Sequence, residues 1–450
     1  TTGAVTNGGT LSNTAGTFTA GGTLTNSAGG SVNLSGGTLR SGTGFANAGT
    51  LTQTGGTLTG GPLTNSATIN ANGGALNAAV TNSAAFNVGG TVTGNNSFTN
   101  NAAGTLAIAA AGNYSGLTAI SNAGTVTTAV GGVLSGSSYI QSAGTTTNAG
   151  ALTVSGPLRV NGGTLTTTGT LTAGSLFNAA TVNANGGLVN GPVTNAGAFQ
   201  VGGTVTGNST FDNTAGGTLA IAAAGDYSGL TTLTNAGAVT LAAGGQLGAA
   251  TYVQNGAGSM ANAGGTVTIA GGYTQNGGTG TSTGTIQVGG ALGINGGTLA
   301  NNAGGTLTAT SLSTAAGATF SNAGTASTTA GLANAGTLSN TAGTLTVGTT
   351  LTNSAGGAVN LRGGTLTATA GFANAGTFTQ TGGTLTGGTL TNTSTVNANG
   401  GALNAAVVND STFNVGGTVT GNSTFDNNAG GTLAIAAAGN YSGLTTMTNA

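Results

Sequence analysis

The sequence has no cysteine, histidine, tryptophan, lysine or glutamate. Without cysteine there are no disulfides and no thiolate metal sites, and no redox compartment can be read. A cysteine-free chain is compatible with secretion across an envelope in the unfolded state. Without histidine or cysteine there is no imidazole base, no thiol nucleophile and no common zinc site. The only cations on side chains are Arg40, Arg159 and Arg362. Nucleic-acid binding needs a basic footprint, and three scattered arginines exclude one. Attraction to anionic lipid headgroups fails on the same ground. No apolar run approaches the roughly 20 residues of a membrane-spanning helix, so no direct membrane insertion is expected in this segment. No signal peptide is evident.

What is present is repetition. A phrase of the form Asn-(x)-Ala-Gly-(Gly)-Thr-apolar returns about every 20 residues, at Asn13–Phe18, Asn47–Leu51, Asn122–Val126, Asn195–Phe199, Asn302–Leu307, Asn374–Phe378 and Asn428–Leu433. Self-similarity at this period predicts a solenoid, in which one coil cannot bury its apolar face alone. Glycine is abundant (93 residues) and charge is 2%, but the evenly spaced Leu, Val, Ile and Phe suit a thin continuous core rather than disorder.

Alternation fixes the secondary structure. Val32-Asn33-Leu34, Phe86-Asn87-Val88, Leu158-Arg159-Val160 and Ile286-Gln287-Val288 are apolar–other–apolar, so one face is buried and the other exposed. The commoner form is Thr-apolar-Thr, as at Thr23–Thr25, Thr57–Thr59 and Thr91–Thr93, and β-branched threonine suits the outward positions. Gly-Gly, Asn-Gly, Asn-Ala-Gly and Ser-Gly between strands make tight corners. Anchors such as Leu51, Leu58, Leu63, Ile69, Leu76 and Val80 recur about every six residues, so three strand–turn units make one coil. The predicted fold is all-β: a three-sided parallel β-helix (β-solenoid) of about 20 residues per coil. About 22 coils stacked about 4.8 Å apart would make a rod roughly 100 Å long. Identical residues align on successive coils, which predicts hydrogen-bonded ladders of the turn asparagines.

A longer repeat lies on top. Asn-Ala-Asn-Gly-Gly occurs at Asn70, Asn183 and Asn397, offsets of 113 and 214, together 327. Each copy leads into a near-identical block beginning at Phe86, Phe199 or Phe413. The domain reading is a single continuous solenoid over 1–450, with related blocks near 70–126, 183–239 and 397–450. Both ends fall inside the repeat pattern, so an excerpt of a longer chain is expected. Duplicated blocks lengthen a spacer, whereas an active site needs no such repetition.

The candidate chemistry is sparse. The only acids are Asp212, Asp226, Asp410 and Asp426. Asp212 and Asp426 are one position in two copies of the block, where the first copy has Thr99; Asp226 corresponds to Asn113 and Asn440. An acid that alternates with Thr or Asn reads as a solvated turn, not a catalytic group. The three arginines each neighbour an inward residue and point outward. The Gly-rich strings lack the lysine and following helix of a phosphate loop. Asp is too rare for calcium-binding nonapeptides. Of the glycosylation-type triplets, Asn208-Ser209-Thr210 is in register, but chance matches are expected here. Phe18, Phe45, Phe86, Phe98, Phe199, Phe211, Phe372, Phe413 and Phe425 occupy anchor positions. Tyr114, Tyr227 and Tyr441, in a repeated Gly-Asn/Asp-Tyr-Ser-Gly-Leu phrase, read as half-buried corners. No catalytic, cofactor-binding or metal residues are assigned, no cofactor is expected, and the chain reads as non-enzymatic.

The phrases at Gly21–Gly30, Gly89–Asn95 and Asn47–Thr52 resemble the repeat regions of filamentous-haemagglutinin-like exoproteins and autotransporter adhesin passengers. The resemblance implies a right-handed β-helix exported across a Gram-negative envelope to the cell surface or beyond. It implies adhesion, aggregation or biofilm formation as a role. The expected function is a non-enzymatic structural or adhesive shaft, or a filament building block. Expected partners are further copies, end to end or side by side, and host or neighbouring-cell surfaces or glycans. Two alternatives stand beside it. One is an ice-binding solenoid using Thr-x-Thr ladders, although the threonine pairs read as spread over several sides. The other is a polysaccharide-binding or polysaccharide-degrading β-helix.

Overall fold

The computed structural model describes residues 1–450 and contains strands, turns and bends but no helix. It divides into two compact units, Thr1–Asp212 with Gly217–Ala220 and Asn213–Gly216 with Ile221–Ala450. Each unit is a stack of parallel coils with three strands per coil, the three-sided parallel β-solenoid that the alternation predicts.

In the first unit, strands such as Thr23–Asn26, Gly44–Asn47 and Leu63–Asn65 stack as the first face. Ser31–Leu34, Thr50–Gln53 and Thr68–Ala71 stack as the second. Thr38–Ser41, Thr57–Gly60 and Gly74–Asn77 form the third. Pairing is in register, so Leu24 lies under Phe45 and Val32 under Leu51. Each backbone finds its hydrogen bonds in the coils above and below, and the alternating apolar residues meet in a narrow core. The second unit repeats the scheme, with Leu312–Leu332–Leu351–Phe372 in one stack.

The asparagine ladder exists, but its residues are not in the turns. Each rung is the last residue of a first-face strand, faces inward and is buried. Asn26 Nδ2 donates to Asn47 Oδ1 at 2.9 Å, and Asn47 donates to Asn65 at 2.8 Å. The series runs on through Asn82, Asn100 and Asn122 at 2.7–2.9 Å. In the second unit it runs from Asn334 through Asn353, Asn374, Asn392 and Asn409 to Asn427 at 2.7–2.8 Å. Every donor points toward the next coil in sequence, so the amide dipoles align and polarise one another.

Rungs also close the corners. Asn26 Nδ2 reaches the carbonyl oxygens of Thr50 at 3.1 Å and of Gly30, four residues on, at 3.2 Å. Asn65 Nδ2 reaches those of Ala85 at 2.9 Å and of Ala67, only two residues on, at 3.2 Å. One side chain therefore serves a long and a short corner. As a result coil length is not constant. Successive rungs are 17 residues apart from Asn65 to Asn82 and 22 apart from Asn100 to Asn122. The extra residues are absorbed at corners while the strands stay in register.

The glycine of the Asn-Ala-Gly phrase has a steric cause. A Cβ on Gly49 would collide with the carbonyl oxygen of Gly30 and lie 2.6 Å from that of Ser27 and 2.8 Å from Asn26 Nδ2. Gly376 is in the same position over Gly357, Ser354 and Asn353. A short corner stacks closely on a long one, and only glycine leaves room.

Aromatic residues fill the core where the duplicated block recurs. Phe86 and Phe98 meet edge to face at 5.1 Å, and Tyr114 stacks on Phe86 at 5.7 Å. Phe413, Phe425 and Tyr441 repeat the trio in the second unit at 5.0 and 6.0 Å. Tyr441 is half-buried as the sequence predicts, but Tyr114 and Tyr227 are fully buried. The tyrosine occupies the inward place of its strand, and the bend comes two residues later. Burial pushes the phenols of Tyr114, Tyr139 and Tyr252 well above their usual pKa. The neutral phenol is favoured by folding, while an unfolded phenol ionises above about pH 10. Their contribution is therefore complete below that pH and is lost as pH rises through the folded values. With no histidine to titrate, the melting temperature is expected to be flat between about pH 6 and 9 and to fall above about pH 10. Thermal melts followed by circular dichroism check this, and a flat profile through strong alkali would contradict the burial.

Candidate functional site

The charged residues do not form a site. Asp212, Asp226 and Asp426 are half-exposed and Asp410 is exposed. Asp410 Oδ1 accepts from Asn428 Nδ2 at 2.6 Å, and Asp426 Oδ1 accepts from Thr448 Oγ1 at 2.6 Å. Both bonds join neighbouring coils on the outside, as neutral Asn–Asn pairs do elsewhere, for example Asn87 to Asn70 at 3.0 Å. No three His, Cys, Asp or Glu side chains come together as a metal site would require. Arg40, Arg159 and Arg362 are exposed on strand or corner positions that follow buried leucines. Asp212→Asn is expected to change stability by less than about 0.5 kcal/mol. Asp212, Asp226 and Asp426 lie on strands rather than in the turns that the sequence predicts; parallel melting curves of the two proteins check the expectation, and a large loss of any activity from this change would contradict a solvated outward position.

The concave features lie elsewhere, at the bend from the third face to the first. In Asn113–Leu117 the pairing with Val133–Gly136 slips between Tyr114 and Leu117, a β-bulge. Gly116 sits in the bulge at φ 80°. That conformation is open to glycine and costly for other residues. The same slip occurs between Tyr227 and Leu230, with Gly229 at φ 80°. The phrase Tyr-Ser-Gly-Leu thus encodes an inward ring, a bulge and a second inward anchor.

Because the bulge and its neighbouring coils carry small residues, the bend is hollow. In the first unit the groove has a volume of about 300 Å³ and is lined by Gly116, Leu117, Ser135, Gly136, Ser137, Thr153 and Ser155. In the second it is about 400 Å³, lined by Gly229, Leu230, Thr231, Gly248, Ala249, Ala250, Thr268 and Ala270. Register pairs Ser135 with Thr153 in one and Gly248 with Thr268 in the other, so the grooves are equivalent. One carries hydroxyls at Ser135, Ser137, Thr153 and Ser155; at the equivalent places its counterpart has Gly248, Ala250, Thr268 and Ala270, with Thr231 as its one other hydroxyl. The repeated tyrosine phrase was the signal for these grooves. It marks the bend, but it does not show which side chains neighbouring coils bring to it.

A third groove, of about 390 Å³, lies against Ser311, Ser313, Ala333 and Thr352 in the second unit. No titratable group lines any of the three.

No family model matches the chain, and no curated protein matches it. Among solved structures, it is similar to the crystal structure of the TibC-catalysed, hyper-glycosylated TibA55-350 fragment. The two share 19% identity over 79% of this chain and 92% of that one, with a TM-score of 0.21. What the chain can do is therefore read from its own residues.

Proposed function

We propose that the chain is a non-enzymatic, extracellular structural and adhesive element of a bacterial surface, a shaft segment or filament building block. One observation carries this reading. Most inward polar side chains are asparagines engaged in the ladder and shut away from solvent, and the outward groups are neutral hydroxyls and amides with isolated charges between them. Such a surface offers contact area but no acid–base pair, nucleophile or metal cluster. It also makes contacts that salt does not screen. Beads coated with the chain are expected to aggregate with one another equally at low and high ionic strength. Release of reducing ends from a panel of polysaccharides would overturn the non-enzymatic reading. Clumping that vanishes in salt would overturn the neutral-contact reading.

A second reading is favoured by one specific arrangement. The threonine pairs are spread over several sides, as the sequence suggests, but on the third face of the second unit they also align on consecutive coils. Thr306, Thr325, Thr344, Thr365 and Thr384 form one row on consecutive coils. Thr308, Ser327, Thr346, Thr367 and Thr386 form a second beside it. The rungs are about 4.8 Å apart and the rows about 6.6 Å apart. A regular array of hydroxyls and methyls on this grid can order water in an ice-like lattice. Thermal hysteresis and faceted ice growth test it, with Thr346→Lys as the control that breaks the array. Absence of both effects disposes of this reading and leaves the first.

A further inference from the structure

Next to the hydroxyl-lined groove, the first face of the same coils carries side chains unlike those of the surrounding surface. Outward positions on this face are mostly Thr, Ser or Ala, but on three successive coils they are Ile140, Arg159 and Phe177. Ile140 and Arg159 are exposed and Phe177 is half-exposed. The Arg159 guanidinium lies over the Phe177 ring, 5.5 Å from its centroid, so the ring holds the cation in place. The strand Ala151–Val160 runs without a break from the groove to this patch. Ser155 in the groove and Arg159 in the patch are four residues apart, about 13 Å along an extended chain.

The duplicated bend supplies an internal comparison. By register, Ile140, Arg159 and Phe177 correspond to Val253, Thr274 and Gly293 in the second unit. The two bends share the bulge, the buried tyrosine and the hollow. They differ in that one has lost the guanidinium, the ring and the three groove serines. Stacking of the coils needs none of these groups, since the second unit forms the same bend without them.

We infer that the bend formed by Ser135, Ser137, Thr153, Ser155, Arg159 and Phe177 is a binding site for an anionic saccharide chain. This names a ligand class for the adhesive role proposed above and rests on that role. The four groove hydroxyls are half-exposed or exposed and can donate to and accept from sugar hydroxyls. Arg159 offers a planar fork to a sugar carboxylate. No aspartate lies in these coils to compete for it. The groove is open rather than enclosed, and the strand that lines it leads on to Arg159, which suits a length of polymer rather than an enclosed small molecule.

The test uses the full chain, a short oligogalacturonate and its fully methyl-esterified, uncharged counterpart, with binding followed by isothermal titration calorimetry. The charged oligomer is expected to bind at one site per chain. The uncharged one is expected to bind at least about tenfold more weakly, as loss of a charge-assisted hydrogen bond implies. Arg159→Gln is expected to reduce the charged oligomer to the level of the uncharged one. Ser137→Ala with Ser155→Ala is expected to weaken both. Installing Ala250→Ser, Ala270→Ser, Thr274→Arg and Gly293→Phe in the second unit is expected to raise the stoichiometry to two. Equal binding of the two oligomers, no binding of either, or wild-type affinity in a normally melting Arg159→Gln protein would each overturn the assignment. The loss-of-binding variants decide the matter even if the four-residue graft does not fold. A chain that aggregates beads yet binds neither oligomer overturns this site while leaving the adhesive reading in place.

Discussion

Asn82→Ala is expected to destabilise the first unit by roughly 3–5 kcal/mol, a large effect for one uncharged residue. Asn82 is fully buried. Its two Nδ2 hydrogens are shared among Asn100 Oδ1 at 2.8 Å and the carbonyl oxygens of Thr105 at 3.0 Å and Ala84 at 2.9 Å. Its Oδ1 accepts from Asn65 Nδ2 at 2.7 Å. Removing the side chain leaves several of these buried groups without a partner, and each unsatisfied group costs about 1–3 kcal/mol. Asn82→Asp is expected to be worse. A carboxylate would face the oxygens of Asn100, Thr105 and Ala84 and could donate to none of them, and it would bury a charge. Asn87→Ala removes an exposed rung of similar geometry and is expected to cost less than about 0.5 kcal/mol, because water replaces the bond. Coils contact mainly their neighbours, so the loss will be local. Amide hydrogen exchange across residues 60–125 is the readout. Equal effects at Asn82 and Asn87 would show that the buried rung has no special role.

Gly49→Ala is the second large effect, expected at roughly 3 kcal/mol. The added methyl meets backbone carbonyls of the coil below, which cannot swing aside as a flexible side chain would. Either the corner lifts, breaking the Asn26 rung that closes it, or the two coils separate locally. Gly8→Ala is the matched control: its Cβ would meet nothing within 4 Å. There the change is expected to be neutral or to stabilise by about 0.5 kcal/mol through the unfolded chain. Chemical denaturation of the three proteins checks the contrast. Similar midpoints for Gly49→Ala and Gly8→Ala would mean that the corners do not stack as described.

Much of the fold is legible in the sequence because it rests on local alternation. Val32-Asn33-Leu34 can bury two residues and expose one only as a strand, and Thr-Leu-Thr repeats that logic. Ladder formation by the recurrent asparagines is also legible, because identical residues on stacked coils must meet. Their inward direction is not. Asn26 and Asn47 precede turn residues and look like part of the turn, yet they end strands and satisfy the carbonyls of the corner from inside. Tyr114 and Tyr227 mislead for the same reason: Ser-Gly after the ring signals a bend, and the ring itself lies within the strand.

The candidate grooves and the threonine rows depend on something less local. Corners vary in length, so register shifts between 17 and 22 residues per coil. Arg159 lies above Ile140 and below Phe177 only because those coils are 19 and 18 residues long. Nothing near any one of the three residues marks that alignment. The threonine rows at Thr344 and Thr346 are hidden in the same way among many Thr-x-Thr pairs that do not line up.

The account depends on successive coils lying in parallel register. The chain has no native cysteine, so disulfide trapping reads this without background. Thr52 pairs with Asn70 on the next coil, and Asn70 with Asn87 on the coil after. All three side chains face outward. Adjacent coils place the paired Cα atoms about 4.8 Å apart, within disulfide range, whereas two coils place them about 9.6 Å apart, beyond it. Under mild oxidation, the Thr52→Cys, Asn70→Cys protein is expected to cross-link within the chain and the Thr52→Cys, Asn87→Cys protein is not. Cross-linking of the second pair, or failure of the first, would contradict the stacked register on which the ladder, the grooves and the proposed function all depend.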